Sequence, residues 1–266
     1  SGLQNWLFLY ADNAIAGLFL GIQGLGVYSL GFSIAIIVPG FLEAAIADVA
    51  YPAFCKLQES PREVGRNLVR LQALVAAVLF PVALGISAVA TPVVDLLYGD
   101  KWQGMGTVIA ILVIMPGLSC IWSLNEHAYQ AVGRPDIWPK LAGISLLILL
   151  VLLWIAAPHG LLVFTVVRSG GAWLLPLGNM LLGARSLGVG VAEQLRGFAA
   201  PLVFSLIMYA AVSLAVQQLS PLAGLGGWLK LAGIMAGGAL IYLLLIWLGN
   251  RSLWNQLRLS ARRVLS

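Results

Sequence analysis

Few side chains in this sequence could do chemistry, and most of those that could are set inside long apolar runs. Asp12 lies near the middle of the first run and is followed by Asn13. Glu43 comes just after Pro39-Gly40 in the second run, with Asp48 closer to its end. Asn125, Glu126 and His127 are consecutive near the end of the fourth, and Arg168 is well inside the sixth. An ionisable group in such a run is expensive in lipid, so it pairs with another charge, contacts backbone carbonyls or lines a wet path. The chemistry open to these groups is ion pairing, proton or cation binding, and contact with a charged solute. Bond-making chemistry finds no support. The sequence has no G-x-S-x-G, no H-E-x-x-H, no phosphate-cradling glycine loop and no paired-carboxylate run for magnesium-bound pyrophosphate. Two histidines and two cysteines, dispersed, give neither a metal-ligand spacing nor a disulfide framework. Neither an enzyme nor a cofactor is expected.

The elements that carry these residues are membrane helices. The 266 residues are 61% hydrophobic and 9% charged, with a mean hydropathy of +0.96, whereas soluble domains run at about 25% charged. No single water-soluble core can hide that much apolar surface. Lipid must be the solvent. A spanning helix needs about 20 mostly apolar residues, and eight runs qualify or nearly so: Leu3–Leu20, Val27–Phe54, Leu68–Val94, Thr107–Ala131, Leu141–Ala157, Leu161–Leu182, Phe198–Leu219 and Trp228–Leu248. The fold class is therefore all-α, a polytopic bundle of eight helices. Strands are disfavoured because the runs are continuous rather than alternating. Pro39 and Pro81 fall inside the two longest runs and predict kinks there.

Basic residues set the orientation. One set of alternate gaps holds Lys56, Arg62, Arg66, Arg70, Arg134, Lys140, Arg185 and Arg196, joined by Arg251, Arg258, Arg262 and Arg263 of the tail; the opposite set holds only Lys101 and Lys230. Twelve against two places the first set, and both ends of the segment, in the cytoplasm. The net charge of +5 is thus spread over membrane flanks, and no nucleic-acid partner is expected. Ser60-Pro61-Arg62-Glu63 reads as a capping box with proline at the first helical position. The tail from Arg251 puts Trp254, Leu257, Ala261 and Val264 at helical spacing, the pattern of an interfacial helix on anionic membrane lipids. Residues 1–183 form a six-helix lobe, 184–250 add two helices, and 251–266 are an amphipathic cytoplasmic tail. Ser1 is not an initiator methionine and no basic n-region precedes Leu3, so the start reads as a cut end rather than a signal peptide.

With the first helix running outward and the sixth inward, Asp12 and Arg168 fall at similar depth near the midplane. Arg168 is expected to face a hydrated cavity and contact anionic groups of a solute. Asp12, with Asn13 beside it, would be its partner or a proton or cation site. The other reading is a static pair that only locks helix packing. Glu43 either titrates in a proton path or, protonated, bonds a carbonyl freed by Pro39. Asp48, Glu126 and His127 sit close enough to the interface to be hydrated.

Several short motifs carry a resemblance. Gly26-Val27-Tyr28-Ser29-Leu30, the mid-run Pro39 and Val49-Ala50-Tyr51-Pro52-Ala53-Phe54 resemble one stretch of the polysaccharide flippases of the multidrug/oligosaccharidyl-lipid/polysaccharide exporter superfamily. Tyr98-Gly99-Asp100-Lys101-Trp102 and Ala131-Val132-Gly133-Arg134-Pro135-Asp136 do so as well. The branch most resembled is that of the colanic-acid and teichuronic-acid exporters, over roughly Leu3 to Arg168; the last third is similar mainly in helix pattern.

The resemblance implies two six-helix lobes facing a central cavity, with this chain as the second lobe and two extra helices. Its partners would be the missing N-terminal lobe, membrane lipids and an undecaprenyl-diphosphate-linked oligosaccharide. The implied activity is to turn that substrate across the bacterial inner membrane by ion-coupled alternating access. Asp12 matches a polar position of the second lobe's first helix that helps form a cation site in relatives. The fifth run has no acidic residue where the lipid II flippases carry a cation-binding carboxylate, so proton coupling through Asp12 or Glu43 is expected rather than sodium coupling. A drug or small-molecule exporter of the same superfamily and a membrane-embedded glycolipid enzyme are the competing readings.

Overall fold

A computed structural model describes residues 2–219, 224–251, 253–256 and 258, without the side chains of 2–6, 8, 9, 38, 39, 42–49, 100 and 116–122. Ten α-helices follow in chain order, and no strand occurs among the described residues. They are α1 (Gly2–Phe19), α2 (Gly21–Cys55), α3 (Pro61–Tyr98), α4 (Met105–Leu112), α5 (Ile114–Ala131), α6 (Ile137–Ala156), α7 (Leu161–Gly171), α8 (Leu174–Ser186), α9 (Val191–Gln218) and α10 (Gly224–Gly249). Each of the eight apolar runs coincides with a helix or with a consecutive pair. Among the described residues, five stretches are long and apolar enough to cross a membrane: Pro61–Tyr98, Ile137–His159, Leu161–Ser186, Val191–Gln218 and Gly224–Gly249. The chain is an all-α, multi-pass membrane protein.

The two interrupted runs break for the same local reason. An α-helical carbonyl bonds the N–H four residues on, and proline has none to give. Pro116 leaves the carbonyl of Leu112 without that donor, and α4 ends at Leu112. Pro176 does the same to Ala172, just past the end of α7 at Gly171. The prolines expected to kink the longest runs do not end their helices, since α2 continues through Pro39 and α3 through Pro81. In α3 the freed carbonyl has a substitute donor. The Tyr242 hydroxyl of α10 bonds the Ala77 carbonyl, four residues before Pro81, at 2.6 Å.

At the start of α3, Pro61 takes the first helical position as expected, but the capping box does not close. Ser60 precedes the helix without a side-chain cap bond, and its carbonyl instead accepts the Glu63 N–H at 2.9 Å. Val64 and Leu68 are buried while Arg62, Arg66 and Arg70 are exposed. At about 1.5 Å per residue, the 38 residues of α3 run to about 57 Å, well past a hydrocarbon core of about 30 Å. Most of the expected tail helix lies outside the described residues.

Helix α3 is the central post and packs on α9, α5, α4 and α10. Helix α1 packs on α2 and α6, α4 on α7, and α5 on α8. The buried side chains form three clusters. Phe54, Leu68, Leu79, Leu124, Tyr129 and Met180 belong to the one near the Leu57–Ser60 turn. Tyr28, Phe32, Met105, Leu112, Leu149 and Phe164 belong to the one toward the Gly99–Trp102 turn. Met208, Val212, Leu231, Tyr242 and Ile246 join α9 and α10 to the side of α3. The broken runs contribute on both sides of their breaks, α4 and α7 to the second cluster, α5 and α8 to the first.

Candidate functional site

Asp12 of α1 and Arg168 of α7 meet inside the bundle. Arg168 Nε donates to Asp12 Oδ2 at 2.7 Å, and the two side chains are 0% and 2% exposed. The Tyr28 hydroxyl of α2 donates to the same oxygen at 2.6 Å. The Asn13 backbone N–H donates to Asp12 Oδ1 at 2.8 Å. Three donors thus converge on one carboxylate, and one of them is the guanidinium.

The arginine is held as closely as the aspartate. Its Nη1 faces Met115 Sδ at 2.9 Å, and its Cζ stands 5.3 Å from the centre of the Phe32 ring. Tyr28 is packed edge-on against Phe164 at 5.0 Å and stacked beside Phe32 at 6.1 Å. Met115 follows directly on the α4–α5 break. Ser169, next to Arg168, donates to the Ile111 carbonyl at 3.0 Å, and Ser87 of α3 donates to the Ala110 carbonyl at 2.8 Å. The guanidinium thus sits by the C-terminal end of α4, whose partial negative charge favours a cation.

The sequence expectation of a cavity-facing Arg168 meets a closed arrangement here, because the side chain is fully buried among apolar and aromatic neighbours. Helix α1 supplies the counter-charge and α2 the hydroxyl, so the pair lies inside the cluster rather than on a wall. Asn13 is brought to the site through its backbone, and its Oδ1 is buried without a hydrogen bond. The side chains of Glu43 and Asp48 lie outside the described residues. Glu126 accepts a bond from Gln130 Nε2 at 3.2 Å, one turn along α5. Asn125 is elsewhere in the bundle and accepts from Gln72 Nε2 of α3 at 2.7 Å. A groove of about 490 Å³ between α8 and α9 is lined by apolar residues such as Trp173, Leu177, Leu195 and Phe198, and touches neither Asp12 nor Arg168.

Tyr28, Phe32 and Met115 are site residues that a search for charges does not find. Tyr28 stood in the sequence as part of a motif, and its hydroxyl was a usable signal, since a buried tyrosine O–H needs an acceptor. Met115 had no such signal. Its place follows from the helix break, which depends on Pro116.

Residues 1–107 match the family model described as "Polysaccharide biosynthesis protein". The chain is similar to the teichuronic acid biosynthesis protein TuaB of Bacillus subtilis (strain 168), with 26% identity over 263 residues, covering 92% of this chain and 51% of the relative. It is 28% identical over 133 residues to the lipopolysaccharide biosynthesis protein WzxC of Escherichia coli (strain K12), covering 50% of this chain and 27% of the relative. It is 23% identical over 134 residues to the succinoglycan biosynthesis transport protein ExoT of Rhizobium meliloti (strain 1021), covering 50% and 27%. The chain spans about half the length, or less, of these curated relatives. No solved structure matches it. The resemblance to polysaccharide exporters that the motifs carried is borne out by these relatives.

Proposed function

We propose that the chain is one lobe of a transporter for surface-polysaccharide precursors, and that it moves an undecaprenyl-diphosphate-linked oligosaccharide across the bacterial inner membrane. In this reading residues 1–183 are the second lobe, 184–250 an added helix pair, and both ends of the segment are cytoplasmic. A sugar-pyrophosphate head cannot enter hydrocarbon unless something replaces its hydration. The observation that carries the reading is the fully buried Asp12–Arg168 pair inside an apolar helical bundle. A bundle that needed only stability would do as well with apolar side chains there.

The pair supplies a way to couple an ion to an anionic solute. While Asp12 is ionised it occupies Arg168. A proton on Asp12 would release the guanidinium for a pyrophosphate, and departure of the anion would restore the pair. Proton binding and anion binding at the pair are thereby linked, each changing the affinity for the other. Glu43 is a second candidate for the proton path. The protein acts by positioning and electrostatics alone, with no bond broken.

The test is complementation. Cells lacking the native gene would be supplied with Arg168→Ala, Arg168→Lys, Asp12→Asn or Glu43→Gln in the complete protein, and surface polysaccharide would be measured with membrane abundance as the control. Arg168→Ala should abolish export, and Arg168→Lys should keep part of it. Asp12→Asn should remove the dependence on the proton gradient. Full export with both arginine variants would end this reading.

A further inference from the structure

Helices α8 and α9 are neighbours in sequence but are held to different partners. Gly178 of α8 carries no side chain where Leu141 of α6 presses in, and a methyl there would collide with Leu141 Cδ1. On α9, a methyl on Gly197 would stand 3.3 Å from Val69 Cγ1 of α3. Helix α8 is thus drawn onto α5 and α6, and α9 onto α3. A groove of about 490 Å³ opens between them, within the usual range of ligand sites, about 300–1,000 Å³.

Its floor is formed by the buried Phe80 of α3 and Met180 of α8, with Phe198 edge-on to Phe80 at 6.3 Å. Its walls are exposed: Trp173, Leu177 and Leu181 on α8, and Leu195 on α9. Every lining residue is apolar, so the groove satisfies no polar guest and takes a hydrocarbon one. Both walls belong to stretches long and apolar enough to cross a membrane. At about 1.5 Å per residue, the α8 wall from Trp173 to Leu181 is about 12 Å long and the α9 wall from Val191 to Leu202 about 16 Å. One leaflet of a hydrocarbon core about 30 Å thick is about 15 Å deep. The groove therefore has the length of an acyl chain in one leaflet, and an undecaprenyl chain would overrun it.

One end of the groove is basic. Trp173, Leu177 and Leu181 recur every fourth residue, and Arg185 is the next member of that row, one turn on and exposed. Arg185 makes no ion pair among the described residues. The first turn of α9 lies at the same end. It begins at Val191, which lines the groove, and the N–H groups of a helix start attract an anion. Glu193, two residues from both Val191 and Leu195, is on the other side of α9.

We propose that this groove is a binding site for an anionic phospholipid, with one acyl chain between α8 and α9 and the phosphate at Arg185. A guanidinium binds phosphate through paired N–H bonds, and basic pockets between membrane helices on the cytoplasmic side hold anionic headgroups. In the orientation proposed above this end is the cytoplasmic one, and only that choice of leaflet rests on the transport reading. The lipid fills a gap that helix packing leaves open. It ties the last helix of the six-helix lobe to the first of the added pair.

Native mass spectrometry of the complete protein tests the site, with phosphatidylglycerol or phosphatidylcholine added as probes. The wild-type protein should retain phosphatidylglycerol severalfold more tightly than phosphatidylcholine. Arg185→Gln should remove most of that preference, whereas Arg62→Gln, at the exposed start of α3, should leave it. Leu181→Trp, which narrows the groove from its exposed wall, should weaken retention of both lipids. All three substitutions fall on exposed residues, so folding is not at stake. Equal retention of the two lipids by the wild type overturns the proposal, as does an equal effect of Arg185→Gln and Arg62→Gln. Unchanged retention in Leu181→Trp would place the lipid elsewhere. Displacement of phosphatidylglycerol by equimolar undecaprenyl phosphate would give the groove to a polyprenyl chain instead, and either result also overturns it. None of these measurements reads export, so their failure is distinct from failure of the transport reading.

Discussion

Arg168 Nε lies 2.7 Å from Asp12 Oδ2 across 156 residues of sequence, and the pair has almost no solvent exposure. Neither charge is tolerable there alone, and that determines how substitutions should combine. Arg168→Met leaves a buried carboxylate with only Tyr28 and the Asn13 N–H to hold it, and should cost about 3–5 kcal/mol. Adding Asp12→Leu removes the stranded charge, so the double variant should be more stable than Arg168→Met by itself. Chemical denaturation of the reconstituted chain measures both. Strictly additive losses would mean that the two residues are not coupled.

A separate brace holds α3 together where Pro81 interrupts its hydrogen bonding. The Tyr242 hydroxyl reaches the Ala77 carbonyl at 2.6 Å, in place of the N–H that Pro81 lacks. Tyr242→Phe should strand that buried carbonyl and cost about 1–3 kcal/mol. In a Pro81→Ala background residue 81 can bond Ala77 itself, so the same tyrosine change should cost much less. An equal loss in both backgrounds would show that Tyr242 contributes by packing and not by satisfying the carbonyl.

These relationships separate what was legible in the sequence from what was not. Each apolar run became helix because length and composition decide that locally, and Asp12 and Arg168 could be paired because the alternating basic gaps predict a direction for each run. The breaks at Leu112 and Ala172 were in principle readable from Pro116 and Pro176, yet the same reasoning would have broken α3 at Pro81. Helices also continue through Pro92 and Pro201, so a proline alone does not decide a break; at Pro81 the freed carbonyl is met by a tyrosine 165 residues away, which leaves no local trace. Gln72, which bonds Asn125 at 2.7 Å, carries no charge to mark it in the sequence. The Ser60 cap failed for a subtler reason: the motif supplies a donor and an acceptor, but the backbone at Ser60 bonds Glu63 through its carbonyl instead.

The turn between α5 and α6 offers a pH test outside the membrane-spanning segments. Asp136 bonds Lys140 Nζ at 2.9 Å and Arg134 Nε at 3.3 Å. The hydrogen bond from Lys140, then that from Arg134, holds its carboxyl below the usual aspartate value. A depressed folded-state value means the contribution is complete above the unfolded-state pKa and is lost as pH falls through the folded one. Carboxyl-carbon NMR should therefore find Asp136 titrating below a peptide aspartate, and Lys140→Ala should move it back up. Because the groups are exposed, the displacement should shrink in about 1 M salt, where the screening length is about 3 Å. An unchanged titration in Lys140→Ala would remove the lysine from the account.

The approach of α4 to α3 depends on a missing side chain. A methyl on Gly106 would stand 2.5 Å from the Thr91 Cα and 3.1 Å from its Cβ. The obstacle is backbone, so no rotamer change relieves it, and Gly106→Ala must push the two helices apart. That displacement also pulls on the Ser87–Ala110 bond and moves the end of α4 against which Arg168 rests. A loss of about 1–3 kcal/mol or more is expected. Gly237 of α10 is the control, because nothing lies within 4 Å of a methyl placed there. Gly237→Ala should be neutral or stabilise by about 0.5–1 kcal/mol through helix propensity alone. Comparing the two by thermal unfolding in one lipid separates close helix approach from propensity, and equal behaviour would show that α3 and α4 do not pack this closely.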